Sequence, residues 1–207
     1  MRYNFLPSFA RRKGRITKLQ EKNLSFLADY SLKHPNTLND NPSFDKIALE
    51  IGFGNGEDFF SFAKEKNNTL FLASEVYKSG IGNLIGNIRE HSLENICIYE
   101  GDIRDLIFEE EGFRFDEVYI ICPDPWPKDR HHKRRLLNKE FFARIQACLK
   151  PNSLLFLSTD WKNYAEHIQD VLRDFEDKFS VETIKQIPGR EFSKFQKKGI
   201  DEGREIY

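Results

Sequence analysis

From residue 44 onward, short apolar runs alternate with amphipathic stretches, and few architectures accommodate such an order. The apolar runs predict strands at 47–53, 69–76, 96–99, 115–122 and 154–158. Between and after them, helical periodicity predicts helices at 57–66, 79–92, 137–149 and 164–179, and 181–187 follows as a further expected strand. Such an alternation predicts an α/β fold, a mostly parallel twisted sheet with helices on both faces. Right-handed crossovers then bring the C-terminal ends of the strands to one edge, where open α/β sheets bind their ligands.

Ahead of this region, residues 17–33 carry apolar positions at helical spacing, and 35–43, rich in Asn, Asp and Pro, predict a loop. The chain therefore divides into a basic arm with a helix, 1–43, and an α/β domain, 44–207. At 207 residues, 39% hydrophobic and 31% charged, it has the composition of a soluble globular protein with one core. No run approaches the roughly 18 apolar residues of a membrane span, and no apolar segment follows the basic start as a secretory signal requires. A cytoplasmic location without membrane contact is the expectation. Cys97, Cys122 and Cys148 stand apart in or beside apolar runs, which fits buried free thiols in a reducing compartment and supports no metal site.

The predicted strand ends carry acids. The first strand runs into Glu50-Ile51-Gly52-Phe53-Gly54-Asn55-Gly56, where glycines permit a tight turn and close approach of a ligand. A dinucleotide site needs Gly-x-Gly-x-x-Gly, but Glu57 occupies the sixth position, which disfavours a nicotinamide dehydrogenase. The pattern present, Glu-x-Gly-x-Gly-x-Gly, is the form typical of S-adenosylmethionine enzymes, whose ligand is a sulfonium cation and not a pyrophosphate. Glu75 ends the second strand, from which a carboxylate reaches ribose hydroxyls. Asp102 follows the third strand and Asp124 the fourth. One such acid is more often a loop residue than a ligand; four at successive strand ends point to a cationic cofactor.

Net charge is −1, from 32 basic and 33 acidic side chains, so charge placement matters more than its sum. One basic cluster is Arg11, Arg12, Lys13 and Arg15; a denser one is Lys128, Arg130, His131, His132, Lys133, Arg134 and Arg135. A third, Lys194, Lys197 and Lys198, reads on its own as a solvated surface. The adjacent histidines face different ways, a spacing poor for a metal and suited to phosphate or ribose contacts. Trp126 either stacks on a base or fills the floor of the site.

The segments Asp124-Pro125-Trp126-Pro127-Lys128 and Arg130 to Leu136 resemble the signature of the tRNA (guanine-N7-)-methyltransferases. Ser8 to Arg12 with Gly14 to Thr17 is similar to that family's N-terminal arm, Glu50 to Gly56 to its cofactor loop, and Ser158-Thr159-Asp160 to its fifth strand end. The resemblance implies a Rossmann-like class I methyltransferase fold, S-adenosylmethionine as cofactor, and methylation of N7 of the variable-loop guanosine of tRNA. It implies that Glu50, Gly52, Gly54, Gly56, Glu75, Asp102 and Asp124 bind the cofactor, with Asp124 at the reaction centre. Lys128, Asp160 and Ser193, Lys194, Phe195 and Gln196 would touch the nucleoside; Arg130 to Arg135 with Arg11 and Arg12 would hold RNA. Where the family usually has Thr-Lys-Phe-Glu, this chain reads Ser-Lys-Phe-Gln, so an amide stands in place of a carboxylate that accepts from the guanine edge. The family's last strand normally continues past the position of Tyr207, which leaves either a fragment or a short closing strand.

Guanine N7 has an in-plane lone pair and no proton, so its methylation needs placement in line and electrostatic stabilisation but no obligatory base or metal. Two other readings remain: an N6-adenine type amino methyltransferase, because Asp-Pro-Trp-Pro resembles the Asp-Pro-Pro-Tyr loop, and a non-catalytic RNA-binding protein on the same scaffold. The basic run favours the guanine reading. Monomer and homodimer both remain open.

Overall fold

The computed structural model describes residues 5–9, 15–32, 36–39, 41–109 and 112–207, with 36 and 37 described in backbone only. Arg11 and Arg12, expected to hold RNA, lie outside the described residues. In chain order the elements are α1 (Lys18–Leu24), α2 (Leu27–Tyr30), α3 (Asn36–Asn39), β1 (Lys46–Ile51), α4 (Glu57–Glu65), β2 (Thr69–Glu75), α5 (Lys78–His91) and β3 (Ile96–Glu100). There follow α6 (Ile103–Glu109), β4 (Phe115–Ile121), a 3-10 turn at Asp129–Arg134, α7 (Lys139–Ala147), β5 (Leu149–Ser158), α8 (Lys162–Leu172) and α9 (Lys194–Asp201).

All five strands are parallel, in the order β3-β2-β1-β4-β5. The order reverses beside β1, which opens a crevice between β1 and β4 at their C-terminal ends. Residues of a strand alternate between faces. Ile47, Leu49 and Ile51 of β1 therefore join Ile103, Phe142 and Ile168 in the core under α6, α7 and α8. Ala48 points the other way, into a core of Phe59, Phe62, Ile81, Leu84 and Tyr119 under α4 and α5. Burial on both faces explains why the inner strands β1, β2 and β4 read as continuous apolar runs.

The helix expected over 17–33 is broken. Ser25 donates its hydroxyl to the Lys22 carbonyl (2.7 Å), a local bond that competes with the helical ladder, and α2 restarts at Leu27. Helix α1 packs on α5, where a Cβ at Gly82 would stand 2.7 Å from the Gln20 carbonyl oxygen. The expected loop at 35–43 holds the short α3. The long helix expected to reach residue 179 ends at Leu172 and tightens into a 3-10 turn at Arg173–Phe175.

The strand expected at 181–187 does not form: among the described residues β5 is a sheet edge, and the segment runs as exposed coil, with Val181 66% exposed. Strand propensity without a neighbouring ladder leaves backbone groups unpaired, so water wins. At the chain's last residue, Tyr207 exchanges both backbone hydrogen bonds with Thr159, each 2.9 Å. No helix among the described residues is long and apolar enough to cross a membrane.

Candidate active site

A hollow of about 1720 Å³ opens at the C-terminal edge of the sheet. Pockets for one small ligand span roughly 300–1,000 Å³, so this one has room for a nucleoside-sized ligand and a second reactant. Its floor is the turn after β1, where Gly52 and Gly54 have φ of 75° and 60°. A Cβ at Gly52 would meet nothing within 4 Å, so that turn presents bare backbone to the hollow. Gly56 is buried behind the turn and does not line the hollow.

Glu75, at the end of β2, lines the hollow and organises it. One carboxylate oxygen accepts from the Gly54 amide (2.7 Å); the other accepts from Val76 (2.6 Å) and Tyr77 (2.9 Å), at the start of α5. Burial pushes its carboxyl up and the three amides pull it back. Asp102, after β3, lines the hollow and takes a two-pronged ion pair from Arg104, through Nε (3.0 Å) and Nη2 (2.6 Å). The same Nη2 donates to the Leu6 carbonyl (3.0 Å), which brings the arm to the rim, where Ser8 and Phe9 line the opening.

Asp124 lines the hollow from the loop after β4. Cys122 (φ 48°) and Trp126 (φ 47°) flank it in the left-handed region that L side chains rarely adopt. Strain of this kind persists only where surrounding contacts hold it. Trp126 is held by a hydrogen bond from its indole to the Ser8 carbonyl (2.9 Å), with Arg134 over its ring at 5.0 Å and His131 against its edge. It is thus an anchor for the arm. Burial, then Asp160, pushes the Cys122 thiol up to about 12, and burial also raises Cys97 and Cys148, so none of the three is a thiolate at neutral pH.

The residues expected to be at the site do not all arrive there. Glu75, Asp102, Asp124, Gly52 and Gly54 surround the hollow, and Asp160, Lys194 and Phe195 line it as well. Glu50 does not: it is 1% exposed and its carboxylate is forked by Arg190. Ser193 and Gln196 are buried, and they cap α9 reciprocally. The Gln196 side-chain oxygen accepts from the Ser193 amide (2.8 Å) and its nitrogen donates to the Ser158 hydroxyl (3.3 Å). Lys128, Arg130 and Lys133 are exposed, while His131, His132 and Arg134 are half-buried. Arg135 departs from the RNA-facing expectation: it is 2% exposed and donates to the Pro125 carbonyl and the Asn163 side chain.

Arg104 and Arg190 had no local sequence signal, because neither lies in a motif and the partner of Arg190 is 140 residues away. Helix α9 did have one, since Ser193-x-x-Gln196 is a capping-box spacing. Acids outnumber bases around the hollow, with Glu75, Asp102 and Asp124 at three strand ends. An open backbone turn and carboxylates at three strand ends fit a nucleoside that carries positive charge, as S-adenosylmethionine does.

Residues 45–207 match the sequence family described as "Putative methyltransferase". The chain is 36% identical over 208 residues to a tRNA (guanine-N(7)-)-methyltransferase of Nitrosococcus oceani, covering 98% of this chain and 88% of the relative. It is 34% identical over 214 residues to one of Alkalilimnicola ehrlichii, covering 98% and 90%. Among solved structures, human methyltransferase-like protein 13 in complex with SAH overlays with a TM-score of 0.51 at 15% identity, covering 90% of this chain and 88% of that one, a likeness of fold alone.

Proposed function

The chain belongs to the tRNA (guanine-N(7)-)-methyltransferase family, and we propose that it transfers a methyl group from S-adenosylmethionine to N7 of a guanosine in tRNA, the variable-loop guanosine. The observation that carries this reading is the loop after β4, which sets Asp124 in the wall of the acidic hollow and leads directly into the basic turn Asp129–Arg134. A small cationic ligand and a polyanion thus have adjoining surfaces.

S-adenosylmethionine, when bound, supplies a methyl carbon activated by its sulfonium. The Gly52–Gly54 turn would let the backbone approach it, Glu75 would take the ribose hydroxyls, and Asp102, held by Arg104, the adenine amino group. The purine gains positive charge as N7 is alkylated, and Asp124 stabilises that charge electrostatically. No side chain needs to remove a proton, because N7 carries none. Lys128, Asp160, Lys194 and Phe195 border the nucleoside, and Arg130, His131, His132, Lys133 and Arg134 meet phosphates. The groove of A-form RNA that exposes N7 is deep and narrow, so the target is a loop nucleotide, unstacked for access.

Incubation with tRNA and methyl-labelled S-adenosylmethionine, followed by chemical cleavage at 7-methylguanosine, tests this. One cleavage in the variable loop is the expected result. Label on an adenine amino group would instead support an N6-type enzyme, and RNA binding without affinity for S-adenosylmethionine a non-catalytic binder.

A further inference from the structure

Glu50 lies on the face of β1 shared by Ala48, under α4, and both of its carboxylate oxygens are occupied. Arg190 donates to one from Nη1 and to the other from Nη2, each at 2.8 Å, and Nη2 also reaches Asp58 at 3.0 Å. The arginine is 4% exposed, with its guanidinium 5.1 Å from the Phe62 ring centroid and 5.6 Å from that of Tyr119. A forked carboxylate in so dry a place is not open to a ligand without breaking the pair, and a buried charge stripped of its partner is strongly disfavoured.

Arg190 begins a segment that forms one wall of the hollow: Glu191, Phe192, Lys194 and Phe195 all line it. The Phe195 ring comes within 3.8 Å of where a Cβ on Gly54 would stand. At the far end, Arg204 donates to Asp160 (2.8 Å), and midway Gln196 donates to Ser158. The segment thus crosses the mouth from the end of β1 to the end of β5, with a charged pin at each side.

We propose that Arg190 is a positioning residue for methyl transfer, pinning the 190–195 wall against the glycine turn, and that Glu50 serves as its counter-ion and not as a ligand of the methyl donor. This rests on the methyltransferase reading above. Glu50 then acts on the site only through Arg190, so their effects cannot multiply.

A double-mutant cycle on the full chain, read by calorimetric binding of S-adenosylhomocysteine, tests it. Glu50→Gln and Arg190→Met are each expected to weaken binding, Arg190→Met on the order of tenfold. The double variant should be no weaker than Arg190→Met alone. A double variant weakened by the product of the two single effects would make Glu50 a direct ligand and overturn the proposal. Amide hydrogen exchange in Glu50→Gln gives a second reading, decisive even where Arg190→Met does not fold. Amides of α9 should exchange faster while those of α4 do not; unchanged α9 protection would also overturn it. If the wild-type protein fails to bind S-adenosylhomocysteine, the methyltransferase reading falls, whereas the exchange measurement still judges the clamp.

Discussion

Arg135 donates from Nε to the carbonyl of Pro125 at 3.0 Å, a bond that ties the end of the basic turn back to the loop carrying Asp124. The same guanidinium donates to Asn163 Oδ1 (2.7 Å) and lies over the Tyr164 ring, so this arginine faces the protein and not the solvent. Arg135→Ala is therefore expected to lower the melting temperature and kcat together, because it removes a buried side chain from over the Tyr164 ring and frees the loop carrying Asp124 from its tie. Arg130 and Lys133 are exposed on the same turn. Replacing either by Ala should leave thermal stability alone and reduce the slope of log K for tRNA against log salt by about one for each phosphate no longer neutralised. A salt slope unchanged in both variants would move the RNA to another face.

Asp124 is assigned the developing charge on the base, not a proton transfer. Asp124→Ala should lower kcat by a factor of about 10² or more with tRNA affinity nearly unchanged. Single-turnover rates beside filter-binding affinities separate the two quantities. Methylation at the wild-type rate would remove Asp124 from the reaction centre.

Helix α5 presses directly on the turn that forms the floor of the hollow. A Cβ at Gly80 would stand 1.8 Å from the Gly54 carbonyl oxygen, a backbone atom that cannot swing aside. Gly80→Ala must push α5 and the turn apart, and overpacking of this kind costs about 1–3 kcal/mol. The expected result is a lower melting temperature with a larger loss of S-adenosylmethionine affinity than any surface Gly→Ala change produces. Unchanged affinity would mean the cofactor does not rest on that turn.

The C-terminal ends of the five strands were legible because each apolar run stops at a polar turn, whereas the start of β5, an edge strand with Pro151 and Asn152 exposed, lies at Leu149, five residues before the run that predicts it. With the ends located, Glu75, Asp102 and Asp124 fall on one rim by topology alone. Glu50 could not be placed in this way, because its position in the motif says nothing of Arg190, which reaches it across 140 residues. Arg135 shows the same limit from the other side: a dense run of basic and histidine residues advertises charge, but only packing decides which of them turns inward. The β-branched residues of 181–187 give that segment strand propensity, but a ladder partner is a property of the sheet and not of the segment.

Gln196 stands where the resembling family has a glutamate, and its geometry says what the exchange should do. Its two polar atoms are both engaged, the oxygen in the α9 cap and the nitrogen on Ser158. A glutamate can keep the capping box, and the Ser158 hydroxyl can turn to donate instead. Gln196→Glu is thus expected to change neither melting temperature nor kcat/KM for tRNA by much. Gln196→Leu, which keeps the Ser193 cap but leaves the buried Ser193 amide without its acceptor, should be less stable by about 1 kcal/mol or more. A rise of tenfold or more in kcat/KM for Gln196→Glu, at unchanged stability, would show that this position reads the base.

Away from the hollow, at the N-terminal end of the sheet, Glu117 gathers Lys46 (2.8 Å), Lys66 (3.0 Å) and the Tyr119 hydroxyl (2.6 Å). Burial pushes its carboxyl up, but the hydrogen bonds from Lys46, Tyr119 and Lys66 outweigh it and hold the group down to about 2, against an ordinary 4.5. Because the folded value is the lower one, the unfolded chain takes up the proton first as pH falls. The stabilisation is complete above about pH 5 and is lost progressively as pH falls toward 2. Glu117→Gln should therefore be clearly less stable than wild type at neutral pH, with a gap that narrows through this window, as denaturant unfolding at a series of pH values would record. Acids elsewhere titrate in both proteins and cancel in the difference, so a gap that stays constant down to the bottom of the window would mean that the charge on Glu117 contributes nothing to the fold.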